Sequence, residues 1–309
     1  MVDKTINSNN ELAEAIRYAI FKFDLNLDNQ IILTEAATGH YSATAIIAAL
    51  AGAKKVYAYT RNSSYGSVED VQKQTNQLAE ILQVSTKIEI ITCKESIDLK
   101  TINIVTNTGF LRPLNRDFIK LLSPFCVIPL MWEPWEFRKN ELDLDACSEY
   151  GIKVYGTNEE DKRLRTKEYL GWMVLKLLLE VQQTPLNSKV LVLGSLMFTS
   201  EVDKILKQNN YSYTIVHKYD HFLDIHDYTS IIVLEHQDNI LLVGAEGFIR
   251  TQDIKPSVKI IHICGNVDFS ELKQKDRLPS PAPFGYMTYT VDYIGAHVVV
   301  DLHTAGLKV

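Results

Sequence analysis

Short runs of apolar residues alternate along this chain with longer segments in which apolar residues recur at helical spacing. The clearest case lies in residues 29–62, which predict a strand at Ile31–Thr34, a turn with Gly39, a helix at Tyr41–Ala51 and a strand at Val56–Thr60. Short apolar runs that flank a helix-length segment are typical of a β-α-β unit. Two strands joined through a helix are normally parallel, so this stretch predicts a parallel sheet.

The same alternation extends through the first half of the chain. A helix is expected at Ser8–Phe23, because Ser8 and Glu11 have the spacing of a capping box. The further predicted helices are Val68–Leu82, Asn115–Leu122 and Leu142–Tyr150, and the further strands are Lys87–Thr92, Ile102–Thr106, Phe125–Met131 and Ile152–Tyr155. Strands and helices in such alternation favour a doubly wound parallel sheet.

A long helical stretch at Leu164–Val181 ends shortly before Pro185, which cannot continue a helix interior. Beyond it the alternation restarts, with strands at Lys189–Leu193, Tyr213–Val216, Ser230–Leu234, Lys259–Ile263 and Val298–Leu302, and a helix at Thr199–Gln208. We therefore expect an α/β protein with two Rossmann-like domains and a cleft between them. Residues 1–184 would form the N-terminal domain with the interdomain helix, and residues 185–309 the smaller second domain.

Composition narrows the class of protein. The chain has 309 residues, 46% of them hydrophobic, and a formal net charge of −6, which argues against general binding to nucleic acid or to an anionic membrane. Its four cysteines are scattered, as expected for free thiols in a reducing compartment. No segment approaches the ~18 uninterrupted apolar residues of a membrane span, and the start has no apolar signal core. A cytoplasmic protein is expected.

Four segments resemble, in their order, the D-2-hydroxyacid dehydrogenases and more loosely other two-domain NAD enzymes. They are Glu141–Val181, Ser188–Leu206, Asp227–Leu272 (with a strand, a helix and a second strand) and Asp301–Gly306. The last resembles the segment that carries the family's catalytic histidine. The resemblance implies NAD or NADP as cofactor, hydride transfer to or from a small polar or carboxylate metabolite, and His303 as the group that moves the proton.

The sequence departs from this family at the dinucleotide turn of the second domain. Gly194 is present, but Leu196 and Thr199 occupy the other two glycine positions and would crowd a pyrophosphate. The second strand of that domain ends at Lys218 rather than at an acid, and the family's catalytic Arg and Glu have no counterparts. A degenerate family member is expected, and a non-catalytic binding or assembly protein that kept the fold is an open alternative.

The turn of the first domain, Thr34–Thr44, is a second candidate cofactor site. Free amides at the start of a helix bind anions, and Thr38, Gly39 and Ser42 lie in this turn. Arg61 follows the next strand, where a positive charge suits the 2′-phosphate of NADP. The same turn resembles the first motif of S-adenosylmethionine-dependent methyltransferases, which is a further alternative. A structural crossover without ligand is equally compatible with the pattern.

Two loops at the same sheet edge provide a candidate substrate site. They follow the strands Ile102–Thr106 and Phe125–Met131 and combine aromatic walls with fixed charges. An arginine in them could clamp a carboxylate or phosphate. The predicted substrate-binding residues are Arg112, Trp132, Glu133, Trp135, Glu136 and Arg138. The alternative is that the second loop packs a domain interface.

Histidines cluster in the segment HKYDHFLDIH, at His217, His221 and His226. An i, i+4 pair could bind a metal on a helix, but this polar segment follows a strand and reads as a solvated loop. No metal site is predicted. The expected partners are a small-molecule ligand and a second copy of the chain.

Overall fold

The computed structural model describes residues 4–134, 137–220, 223–274 and 278–309, and within these ranges the side chains from residue 9 onward except that of residue 291. The chain forms two compact units, one made of Met1–Arg165 with Gly295–Val309 and the other of Thr166–Ile294. This division differs from the expected one after residue 184 at two places. The long helix belongs to the second unit, and the C-terminal segment returns to the first.

The first unit is built on one six-stranded sheet. Its elements up to residue 165 are α1 (Lys4–Phe23), β1 (Ile31–Glu35), α2 (Ala43–Leu50), β2 (Lys55–Tyr59), α3 (Val68–Ile81), β3 (Ile88–Ile91), β4 (Ile104–Val105), α4 (Arg116–Ile119), β5 (Val127–Pro129), α5 (Leu144–Glu149) and β6 (Lys153–Tyr155). The strand order is β3-β2-β1-β4-β5-β6, and every neighbouring pair is parallel. This is the order of Rossmann dinucleotide-binding domains, with the switch point between β1 and β4. The predicted α/β class is confirmed.

The predicted β-α-β unit is present because its residues are buried on all sides. Ile32 and Leu33 of β1 have no exposed surface, and α2 is buried from Ala43 to Ala49 between the sheet and neighbouring helices. Its all-apolar composition is typical of a fully covered helix. The predicted cap at Ser8 is wrong, because helical backbone already begins by Lys4 and Ser8 lies inside α1.

The second unit contains α6 (Thr166–Glu180), β7 (Lys189–Gly194), α7 (Leu196–Gln208), β8 (Ser212–Val216), β9 (Ser230–Leu234), β10 (Leu241–Gly244), β11 (Ile249–Arg250), β12 (Lys259–Cys264) and β13 (Asn266–Val267). Its main sheet is parallel, in the order β12-β9-β7-β8, and a small sheet has the order β11-β10-β13. Strands β10 and β11 replace the helix that the resemblance led us to expect. Two glycines, Gly244 and Gly247, close a tight turn between them, with a hydrogen bond from the Gly247 N–H to the Gly244 carbonyl.

The apolar side of α6 explains why this helix groups with the second unit. Met173, Val174 and Leu178 are buried in the same core cluster as Val190 and Val192 of β7. Burial against the second sheet therefore outweighs the sequence signal of Pro185, which marks the end of the helix rather than the border of the compact unit.

The predicted strand at Val298–Leu302 is wrong, because these residues lie in α8 (Ala296–Lys308). Short apolar runs do not distinguish a buried strand from a buried helix by periodicity alone. Here the apolar run continues into a helix that packs against α1 and α2, and Lys22 binds Asp301 at 2.6 Å. In the part of the chain that the structure describes, no helix is both long and apolar enough to span a membrane.

Candidate functional site

The candidate site lies at the carboxyl edge of the first sheet, where the loops after β1, β2, β4 and β5 meet at one side. Side chains from these four loops are Glu35, Arg61, Asn107, Arg112 and Trp132. We refer to these five residues as the carboxyl-edge site.

Glu35 is the last residue of β1, and its side chain is almost fully buried, with 6% exposed. Its Oε2 accepts a hydrogen bond from the Phe110 N–H at 2.9 Å. Gly109 lies close to the same oxygen, and a Cβ there would stand 3.4 Å from Oε2, at van der Waals contact. Burial raises the pKa of Glu35, against the opposing effects of the Phe110 N–H and the charge of Arg112. Glu35 was not among the predicted site residues, although an acid that ends an apolar strand at a switch point was a visible signal.

A chain of threonine hydroxyls connects the ends of β1 and β4. Thr34 Oγ1 lies 2.8 Å from Thr106 Oγ1, which lies 3.0 Å from Thr108 Oγ1, and all three residues are buried. The ladder between β1 and β4 is short, with two residue pairs. These hydroxyls therefore add side-chain contacts to the backbone bonds between the strands, which include one from the Thr106 N–H to the Leu33 carbonyl at 3.1 Å.

Arg112 forms hydrogen bonds and a ring contact with residues of neighbouring loops. Its Nη1 donates to Glu141 Oε1 at 2.9 Å, its Nε and Nη2 donate to the Asn107 carbonyl at 3.2 and 3.0 Å, and its guanidinium lies 4.1 Å from the Trp132 ring centroid. Arg138 donates to the same Glu141 oxygen at 3.1 Å. The two predicted substrate clamps are thus brought together by Glu141, a buried acid that sequence reasoning missed. Glu141 therefore neutralises part of the arginine charge at this place.

Three buried polar atoms around Arg112 have no hydrogen-bond partner in the described ranges. They are Asn107 Oδ1, Trp132 Nε1 and Glu141 Oε2. A buried polar atom without a partner costs about 1–3 kcal/mol, so such atoms are normally satisfied by water or by a bound molecule. This cluster is therefore a place where solvent or a polar ligand can bind.

Among the other predicted substrate residues, Glu133 Oε1 accepts a hydrogen bond from the Glu159 N–H at 3.1 Å. Trp135 and Glu136 lie outside the described residues.

The predicted cofactor turn of the first unit is covered by the segment that follows β2. Thr38 Oγ1 donates to the Tyr65 carbonyl at 3.2 Å, and Ser42 Oγ donates to the Gly39 carbonyl at 2.8 Å. Gly39 has φ +64°, and its N–H donates to Gln74 Oε1 at 2.9 Å. A side-chain oxygen thus occupies the position that an anion oxygen would take on this amide.

Two cationic side chains lie near the ends of β2 and β3. Arg61 is exposed, and its guanidinium lies 5.5 Å from the Phe110 ring centroid. Lys94 is half-buried and donates to the Leu111 carbonyl at 3.1 Å. Burial lowers the pKa of Lys94, the negative charge of Glu95 opposes this lowering, and the positive charge of Arg61 adds to it. Two cations and one carboxylate thus lie close together at the sheet edge.

The glycine of the second unit, Gly194, packs tightly against the adjacent strand. A Cβ at this position would overlap the Leu234 carbonyl oxygen and would lie 2.9 Å from Thr199 Cγ2. The glycine is therefore required for close contact between β7 and β9.

Side chains fill the turn that follows Gly194. Ser195 Oγ lies 2.5 Å from His236 Nδ1, and the rings of His236 and Phe198 stack with centroids 4.0 Å apart.

His303 lies on α8 rather than at the end of a strand. Its Nδ1 is 2.6 Å from Thr44 Oγ1 in the first turn of α2, and its ring centroid is 5.8 Å from that of Tyr41. The side chain is 7% exposed, and burial lowers the pKa of His303 to about 4. The imidazole is therefore neutral at physiological pH.

The histidines of the segment HKYDHFLDIH bond to different partners. His217 Nδ1 donates to the Gly194 carbonyl at 2.7 Å, and exposed His226 pairs with Asp224 at 2.9 Å. His221 lies outside the described residues. Among residues that the structure describes, no group of three His, Cys, Asp or Glu side chains is arranged to hold a metal ion.

The sequence matches no protein-family model and no curated protein. Among solved structures, the chain is similar to NAD⁺-bound 3-phosphoglycerate dehydrogenase of Entamoeba histolytica (9% identity, 90% of this chain and 93% of that one, TM-score 0.40). It is similar to D-lactate dehydrogenase with NAD⁺ from Lactobacillus jensenii (10%, 78% and 73%, TM-score 0.45). It is also similar to shikimate 5-dehydrogenase from Listeria monocytogenes in complex with shikimate and NAD (15%, TM-score 0.31), where 47% of this chain spans about half (51%) of that one.

Proposed function

We propose that this chain is an NAD(P)-linked oxidoreductase of a small polar or carboxylate metabolite, with the dinucleotide bound at the carboxyl edge of the first sheet. The observation that carries this proposal is the switch point between β1 and β4, with Arg61 two residues after the end of β2. In open parallel sheets, ligands bind at the switch point, and the end of the second strand selects the ribose substituent.

Charge at the end of β2 favours NADP over NAD in this proposal. Arg61 is exposed, and Lys94 adds positive charge beside it. A guanidinium pairs well with phosphate, whereas an unmodified ribose is normally bound by an acid at this position. Gly39 and its neighbours Thr38 and Ser42 would contact the pyrophosphate after displacement of Gln74 from the Gly39 amide.

The bound nicotinamide would supply hydride chemistry, and the chain would supply orientation and the proton. Arg112 and Arg138, held together by Glu141, would orient a substrate beside the Trp132 ring. The predicted role of His303 in proton transfer stays a prediction, as does that of Gly194 in cofactor binding. Tight packing of Gly194 is the reason that we place the dinucleotide in the first unit.

Calorimetric titration with NADPH, NADH and S-adenosylmethionine tests the cofactor. We expect NADPH to bind more tightly than NADH, and Arg61→Ala to weaken NADPH binding about tenfold, since a charge-assisted phosphate contact contributes about 1.5 kcal/mol. Arg17→Ala, on the exposed side of α1, is the matched control and should bind as the wild type does. Binding of S-adenosylmethionine instead would favour a methyltransferase. Binding of none of the three would favour a non-catalytic binding or assembly protein.

Oxidation of NADPH in the presence of glyoxylate or pyruvate tests the reaction class. Turnover with either acid supports the proposed reaction, whereas NADPH binding without turnover of any small carbonyl compound would contradict it. The expected homodimer is a separate prediction, which light scattering of the purified protein would test.

A further inference from the structure

The position of Glu35 in the fold sets it apart from other acids of the chain. It ends β1 at the switch point, and the loops after β4 lie directly against it through Phe110 and Gly109. Ligands of parallel sheets bind at this place, so Glu35 lies beside the position where a bound molecule is expected.

The hydrogen bonding of Glu35 differs from that of Glu235, a buried acid of the second unit. In the second unit, buried Glu235 accepts from the N–H groups of Gln237 and Asp238 on Oε1 and from Tyr219 Oη on Oε2. Glu35 has the Phe110 N–H on Oε2, and no described residue bonds its Oε1. Glu235 is a structural anchor with both oxygens used, whereas Glu35 keeps one oxygen for another partner.

The environment of Glu35 favours the protonated acid. Burial raises its pKa. The hydrogen bond from the Phe110 N–H and the positive charge of Arg112 both oppose this shift. A carboxyl whose pKa moves toward neutrality is suited to give and take a proton. His303, by contrast, is bonded to Thr44 and held neutral by burial.

We propose that Glu35 is the proton-transfer residue of the carboxyl-edge site, acting through its unbonded Oε1. The inference rests on the proposed NADP-linked reaction. In the reductive direction, a bound reduced nicotinamide would supply the hydride that a substrate carbonyl carbon takes up. The Glu35 O–H bond breaks, its proton goes to the carbonyl oxygen, and the resulting carboxylate is protonated again from solvent.

The decisive variant is Glu35→Gln, because an amide oxygen can still accept the Phe110 N–H while the side chain can no longer transfer a proton. We expect NADPH affinity within threefold of wild type and a loss of turnover with glyoxylate of about 10²-fold or more. Glu35→Asp should restore part of the activity. Glu89→Gln, an exposed acid on β3, is the matched control and should leave activity unchanged.

A second readout does not depend on turnover. Calorimetry of NADP⁺ binding in buffers of different ionisation enthalpy counts released protons. The positive charge of the oxidised ring favours an ionised carboxyl nearby, so wild type should release protons on binding NADP⁺ and Glu35→Gln should not. Selective ¹³C labelling of glutamate, assigned through the variant, should show Glu35 titrating above its ordinary range in the wild type.

The outcomes separate the two proposals. NADPH binding to wild type with unchanged turnover and unchanged proton release in Glu35→Gln overturns the Glu35 role and leaves the proposed function standing. A Glu35 carboxyl that is ionised across the range from mildly acidic to neutral pH in the wild type overturns it even if the variant fails to fold. Absence of NADPH binding to wild type overturns the proposed function itself.

Discussion

In each unit, the first strand of the parallel sheet leads to a helix through a turn that contains a glycine. The two glycines, Gly39 and Gly194, are required for different reasons. Gly39 has φ +64°, and a Cβ there would have no atom within 4 Å. Gly194 has no such backbone requirement, but a Cβ would overlap the Leu234 carbonyl oxygen. The first turn is constrained by backbone conformation and has open space, whereas the second is constrained by packing.

The same contrast extends to the hydroxyl–imidazole pair near each turn. Thr44 binds Nδ1 of His303, and Ser195 binds Nδ1 of His236. His303 is buried beneath the first turn, whereas half-buried His236 stacks on Phe198 at the second. The first unit therefore places its imidazole in the core and keeps its sheet edge for polar side chains. The second fills the corresponding turn with protein atoms.

Gly194→Ala should have the largest effect. The added Cβ meets backbone that cannot rotate away, so we expect the second unit to lose about 3 kcal/mol of unfolding free energy. Denaturation followed by fluorescence in a Trp132→Phe/Trp135→Phe background reports this unit, because Trp172 is then the remaining tryptophan. A loss below about 1 kcal/mol would mean that β7 and β9 can separate, and would remove the contrast between the turns.

Sequence patterns predicted most of the first sheet because its strands are separate apolar runs with helices between them. They failed at Val298–Leu302, where a β-branched run is buried on a helix that contacts α1 and α2. They do not show that Gly194, which is predicted to bind the cofactor, also packs closely against β9. Local composition cannot show what a residue packs against when the partner is distant in sequence.

The site was predictable in location but not in bonding. Trp132 and Arg112 were expected together, because carboxyl ends of parallel strands share one edge. The sequestration of Arg112 by Glu141 and the burial of Glu35 against Phe110 depend on contacts 29 and 75 residues apart. Such pairings follow from the fold, and no local motif contains both partners.

Stability at acidic pH should differ between the two units, because His303 is more deeply buried than His236. Because the folded-state pKa of His303 is about 4, below its ordinary 6.5, the unfolded state binds a proton first as pH falls. The first unit should therefore lose stability between about pH 6.5 and about pH 4, by up to about 3 kcal/mol, with no effect of this group above that range.

Denaturation of a Trp172→Phe protein at pH 7.5 and pH 4.5 measures this loss, since both remaining tryptophans lie in the first unit. His303→Gln should reduce the acid sensitivity, because its amide does not titrate. In the second unit, burial also lowers the pKa of His236, but the ring is more exposed, so His236→Gln should change acid sensitivity less. Equal effects in both units would contradict the assigned difference in burial.

The smallest loss of stability is expected at Gly39. The order of the losses for two substitutions, Ala and Asn, distinguishes the two glycines most sharply. Gly39→Ala should cost about 1 kcal/mol, because an L-residue at φ +64° is strained although the space is open. Gly39→Asn should cost less than Ala, since asparagine tolerates the left-handed region. At Gly194 the order should reverse, with Asn worse than Ala, because size decides there. Denaturation of the four variants tests this crossing, and the same order at both glycines would show that one constraint governs both turns.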